Sequence, residues 1–152
     1  MPSTDRDRAG NRLLEALPSS DRRRMLAGCD TVALAFAEVL YTPGERLRYA
    51  YFPTSSFISL IMPVDASASL EVGLVGDEGM FGVALVLGVD RSPVRAVVQG
   101  AGSALRMGAA SFGRELARSQ ALQHEMNRYV VVHLSQLAQT AGCTRFHVVE
   151  AR

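Results

Sequence analysis

Tyr49-Ala50-Tyr51-Phe52-Pro53-Thr54-Ser55-Ser56-Phe57-Ile58-Ser59-Leu60-Ile61 holds two short apolar runs, rich in aromatic and β-branched residues, on either side of a Pro-Thr-Ser-Ser break. Such runs are too short for core helices and carry strand-forming residues, so the segment reads as two strands joined by a turn. The same texture extends in both directions. From Thr31 to Met107, runs of about four to six apolar residues alternate with Pro43-Gly44-Glu45, Pro63-Val64-Asp65, Gly76-Asp77-Glu78 and Gly100-Ala101-Gly102. The predicted strands are Thr31–Ala35, Val39–Tyr41, Tyr49–Phe52, Phe57–Ile61, Ser69–Val75, Met80–Phe81, Val94–Val98 and Ala104–Met107. About eight short strands is the number a double-sheet jelly roll requires.

Helical texture flanks this block. Asn11 to Leu17 has apolar residues at helical spacing, and Pro18-Ser19-Ser20 breaks the chain and offers an N-cap for a second helix over Asp21 to Ala27, ended by Gly28. After Met107, Ala109–Ala117 reads as a short helix. Gln120 to Ala141 reads as a long one without internal Gly or Pro. Its positions Met126, Val130, His133, Leu137 and Thr140 or Ala141 form a narrow apolar stripe, widened by Val131, Val132, Leu134 and Ala138. That width predicts contact with both the β-block and a second copy of the helix. The expected organisation is N-terminal helices over 1–30, a β-roll over 31–108, and a short helix plus a long dimerisation helix over 109–152.

With 152 residues, 48% apolar and 20% charged, the chain is sized for one domain with a real core, and a net charge of +1 argues against a broad nucleic-acid surface. Arg22-Arg23-Arg24 reads as a solvated helix face. Cys29 and Cys143 lack C-x-x-C partners, which points to a reduced, cytoplasmic setting. Met1 to Gly10 has no apolar core of the signal-peptide kind, and no stretch approaches the roughly 20 apolar residues of a membrane helix.

Reactive groups are sparse. His124, His133 and His147 all follow the predicted sheet, so a metal site of the cupin type is not expected, and Cys143 with His147 offers two ligands at most. No nucleophile elbow, phosphate-binding Walker loop or paired carboxylate set occurs, and no enzymatic activity is expected. Gly76 to Gln99 is the most informative stretch. Gly79, Gly82 and Gly88 interrupt strand-like sequence ahead of Asp90-Arg91-Ser92-Pro93. Glycines let backbone amides converge on an anion, and an Arg beside a Ser can neutralise and hydrogen-bond a phosphate. The stretch reads equally as a phosphate cradle and as a solvent-facing turn.

Several stretches together resemble the Crp/Fnr family of transcriptional regulators, over nearly the whole chain. They are Asn11-Arg12-Leu13-Leu14 with Leu17-Pro18; Leu40-Tyr41 with Pro43-Gly44-Glu45; Tyr51-Phe52-Pro53-Thr54-Ser55 with Phe57-Ile58-Ser59-Leu60; Val72-Gly73-Leu74-Val75-Gly76 with Glu78-Gly79-Met80; Arg91-Ser92-Pro93; and Cys143-Thr144-Arg145-Phe146-His147 with Glu150. The resemblance implies a mainly β fold with flanking helices: a double-stranded β-helix, or jelly roll, of the cyclic-nucleotide-binding type, followed by a long dimerisation helix. It also implies a sensor that binds a small anionic, cyclic-nucleotide-like effector, forms a homodimer, and reaches DNA through a helix-turn-helix domain that these residues lack. No cofactor is required.

By resemblance, Arg91 and Ser92 would hold the effector's anionic group. The backbone at Gly82 and Val83 would assist, and Asn127 and Thr140 of the long helix would close the pocket. In cyclic-AMP-binding members a Glu follows the glycine that Gly82 matches; here it is Val83. An unpaired buried hydroxyl costs about 1–3 kcal/mol, so cyclic-AMP binding is expected to be weaker by roughly one to two orders of magnitude, or absent. The alternative is a structural and dimerisation module that has lost its ligand. The iron–sulfur cluster of Fnr-type members needs more N-terminal thiols than Cys29 alone, and no histidine of the β-roll is available for haem.

Overall fold

A computed structural model describes the backbone of residues 9–150 and the side chains of residues 9–142. Two short helices, α1 (Arg12–Glu15) and α2 (Ser19–Ala27), precede seven strands: β1 (Asp30–Leu34), β2 (Val39–Tyr41), β3 (Tyr49–Pro53), β4 (Phe57–Pro63), β5 (Ser69–Val75), β6 (Arg95–Gly100) and β7 (Gly102–Gly108). A one-turn helix α3 (Val83–Val86) lies between β5 and β6, and α4 (Ala109–Arg118) and α5 (Gln120–Glu150) follow the last strand. The strands form two antiparallel sheets, ordered β1-β7-β3 and β2-β6-β4-β5.

Strand periodicity explains the two cores. Successive side chains of a strand point to opposite faces. Ala50 and Phe52 of β3 therefore face the helices, where they meet Leu14, Met25, Phe112, Leu122 and Met126. Tyr51, between them, points into the roll with Tyr41, Ile58, Leu60, Val75 and Val98. The three-stranded sheet is thus covered on both faces. Phe52 and Phe112 meet edge to face, with ring centroids 6.1 Å apart.

The predicted strand at Met80–Phe81 is not one: Phe81 makes only an isolated bridge with Tyr51. The two residues do alternate like a strand, since Met80 is buried among the helices and Phe81 inside the roll. Gly82 then takes φ 108°, a left-handed conformation open to glycine, and turns the chain into α3 before a ladder can form. The N-cap expected from Ser19 and Ser20 is also absent. The cap position is Pro18, which makes no side-chain capping bond, and both serines lie inside α2. Gly28 does end that helix. The long helix begins at Gln120 as predicted but continues beyond Ala141 to Glu150.

Candidate functional site

Where the roll meets α5, the side chains do not fill the space. A cavity of about 330 Å³ lies there, walled by Leu60 and Met62 of β4, Val72 of β5, and Pro93 and Val94 ahead of β6. The segment Met80–Ala84, with Leu87 just past α3, forms a second wall, and His133 and Leu137 of α5 close it. The volume lies within the range of small-molecule sites, about 300–1,000 Å³. Sheet, one-turn helix and long helix each contribute a wall.

The cavity is almost entirely apolar. Among the described residues that line it, only His133 carries a side-chain N–H or O–H group. Its ring is half-buried, 6.0 Å from that of Tyr129 between centroids, and its Nδ1 is buried without a hydrogen-bond partner. Burial pushes the His133 pKa below its ordinary 6.5. The folded protein then binds fewer protons than the unfolded chain between that depressed value and 6.5, so stability falls as pH drops through this window. Melting temperatures measured from pH 7.5 to 5 should decline on the acid side, and His133→Leu should flatten the decline.

The sequence-predicted site residues divide. Gly82 and Val83 line the cavity. Arg91 and Ser92 do not; they belong to a clasp in which Gly44 N–H donates to Ser92 O (2.8 Å), Ser92 N–H to Glu45 O (2.9 Å) and Leu47 N–H to Asp90 O (2.7 Å). The exposed Arg91 guanidinium donates from Nη1 to Gly44 O at 3.2 Å. The buried Ser92 hydroxyl donates to Val94 O at 2.6 Å. Asn127 is exposed and outside the lining, and the half-buried Thr140 donates from Oγ1 to Gln136 O at 3.0 Å, one turn back along its own helix. A cyclic nucleotide needs a cation and donors for its phosphate and an acceptor for its ribose. Among the described side chains that line the cavity none is a cation or a carboxylate.

Sequence reasoning placed His133 and Leu137 on an apolar stripe without assigning them to a site. Their spacing of four was the available signal, because it puts both on one helix face beside Met126 and Tyr129, which are buried against the roll. The helix is fixed at two further points. The buried Tyr129 hydroxyl, its pKa pushed up to about 12 by burial, hydrogen-bonds the backbone of Met80. Ser119 Oγ accepts from Leu122 N–H at 3.1 Å, capping the start of α5, and donates to Asp21 Oδ1 of α2 at 2.6 Å. Cys29 is a free, half-buried thiol whose pKa burial raises to about 12, which favours the protonated thiol over the nucleophilic thiolate. The side chains of Cys143 and His147 lie outside the described residues. Among the described residues no cluster of three metal-ligating side chains occurs, and no helix is long and apolar enough to cross a membrane.

No protein-family model and no curated protein matches the sequence. Solved structures do match the fold. The c-di-GMP-responsive global regulator CLP of Xanthomonas campestris superposes with a TM-score of 0.70 at 15% identity, over 82% of this chain and 63% of that one. The catabolite activator protein of Thermus thermophilus gives 0.70 at 14% identity, over 88% of this chain and 63% of its own. This chain therefore spans under two thirds of either regulator. The sensor domain of the transcriptional regulator DNR from Pseudomonas aeruginosa, at 16% identity, gives 0.63 over 81% of this chain and 91% of the domain. Two antiparallel sheets, flanking helices and a long C-terminal helix in this order give the chain the cyclic-nucleotide-binding-domain fold that sensor domains of Crp/Fnr-type regulators share.

Proposed function

We propose that this chain is the effector-sensing and dimerising part of a Crp/Fnr-type cytoplasmic transcriptional regulator, with DNA contact assigned to a helix-turn-helix outside residues 1–152. The supporting observation is the cavity walled jointly by roll, α3 and α5. An occupant would favour one placement of α5 over others by the difference in its contacts with them, and the helix would carry that bias outward. No catalytic role is part of this reading. Thermal-shift screening with cyclic AMP, cyclic GMP, cyclic di-GMP and neutral aromatic compounds tests it, with the cavity-filling variant Ala84→Phe as control. A saturable rise in melting temperature, lost in the variant, is the expected result.

A second reading, a ligand-free structural and dimerisation module, draws on the engagement of Arg91 with Gly44 and of Ser92 with Val94. It holds if no compound shifts either protein. Both readings include the dimer, which rests on the outer face of α5. Val131 and Leu134 are 63% and 59% exposed, and Ala138 continues their face. A 31-residue helix reaches roughly 46 Å, long enough to offer a two-fold partner an extended seam. Sedimentation should find a dimer. The pair Val131→Glu and Leu134→Glu should weaken it at least about a hundredfold, because like charges would meet across the axis.

A further inference from the structure

We infer that the occupant of the cavity between roll and α5 is an uncharged, mainly apolar molecule of about two rings carrying one hydroxyl or carbonyl group, held by the imidazole of His133. This rests on the reading of the cavity as an effector site. Volume sets the size: about 330 Å³ is roughly twice the 150 Å³ that accommodates a benzene ring in a dry apolar cavity. Wall chemistry sets the polarity. An ion moved from water into such walls without a partner is strongly disfavoured, and among the described side chains that line the cavity none is a cation. Arg91 is tied to the 44–47 turn, and its neighbour Ser92 spends its proton on Val94 O.

His133 supplies the single point of polar recognition. Its lowered pKa keeps the ring neutral at physiological pH, so it offers one donor and one acceptor rather than a charge. Met62 and Leu87, which line the cavity, are 40% and 63% exposed, so an apolar occupant would also cover surface now open to water.

The test is isothermal titration and fluorescence with 1-naphthol, naphthalene and cyclic AMP at pH 7.5, on the parent chain and on His133→Leu, Ala84→Phe and Arg91→Ala. Expected is saturable binding of 1-naphthol, roughly tenfold tighter than naphthalene, as one hydrogen bond provides. His133→Leu should erase that tenfold difference while naphthalene binding persists, which shows a folded variant with an intact cavity. Ala84→Phe should abolish both, and Arg91→Ala should change neither. Tight cyclic-AMP binding lost in Arg91→Ala would overturn the ligand class and leave the effector site standing. Binding of none of the three would take down the effector-site reading itself, and undiminished 1-naphthol preference in His133→Leu would remove His133 from it.

Discussion

Gly79→Ala should cost about 3 kcal/mol of folding stability and lower the melting temperature by roughly 6–12 °C, although it adds one methyl group. A Cβ at this position would sit 2.5 Å from Cζ and 2.7 Å from Cε2 of Tyr129, and closer still to Oη. Tyr129 is 4% exposed and hydrogen-bonded to the backbone of Met80, so its ring has no free direction in which to yield. Either the 76–79 turn or α5 must move. Tyr129→Leu in the same chain should recover part of the loss, a coupling that a double-mutant cycle by chemical denaturation would measure. Gly113→Ala is the control. Nothing lies within 4 Å of the added carbon there, and the exchange inside α4 should stabilise by about 0.5–1 kcal/mol. Equal effects at the two glycines would show that the Tyr129 contact is not the cause.

Asn11→Ala should be of similar size, about 3 kcal/mol or more. The side chain is wholly buried and uses its full hydrogen-bonding capacity. Nδ2 donates to Pro53 O at 2.9 Å and Gly79 O at 2.8 Å, while Oδ1 accepts from the backbone N–H groups of Leu13 and Leu14, capping α1. Loss of the cap costs about 1 kcal/mol, and each buried carbonyl left without its donor adds roughly 1–3 kcal/mol unless water reaches it. Asn11→Asp separates the two roles. It keeps the capping acceptor but sets a carboxylate against two carbonyl oxygens, so it should be no better than alanine in urea melts; near-parental stability would confine Asn11 to helix capping.

Strand alternation and turn residues carry the fold, which is why the β-roll is legible from Tyr49 to Ile61 outward. Met80–Phe81 misleads because it alternates as a strand does, while the feature that prevents a ladder, the left-handed turn at Gly82, is set by the tertiary path. The site is less legible. Arg91 and Ser92 look like phosphate ligands by residue type, yet whether their polar atoms are available depends on Gly44 and Val94, and for Gly44 on a pairing 47 residues away. His133 was in view as a member of an apolar stripe. That one helix offers the roll Met126, Tyr129, His133 and Leu137 while turning Val131 and Leu134 outward follows from which face the roll occupies, and apolar periodicity does not choose between them where Val130, Val131, Val132 and Leu134 spread the apolar residues beyond one stripe.

Met80 and Phe81 are neighbours in the chain, but one packs among the helices and the other inside the roll. Two hydrophobic cores on opposite sides of a three-stranded sheet have the makings of two separate unfolding units, each with its own transition. The shared peptide between these side chains, reinforced by the alternating residues of β3, denies them that independence. A shift of the backbone that unpacks Met80 from one core also moves Phe81 in the other. The domain should therefore lose far-ultraviolet and aromatic signals together on heating, and hydrogen exchange in β3 should report the opening of the whole molecule rather than of one face.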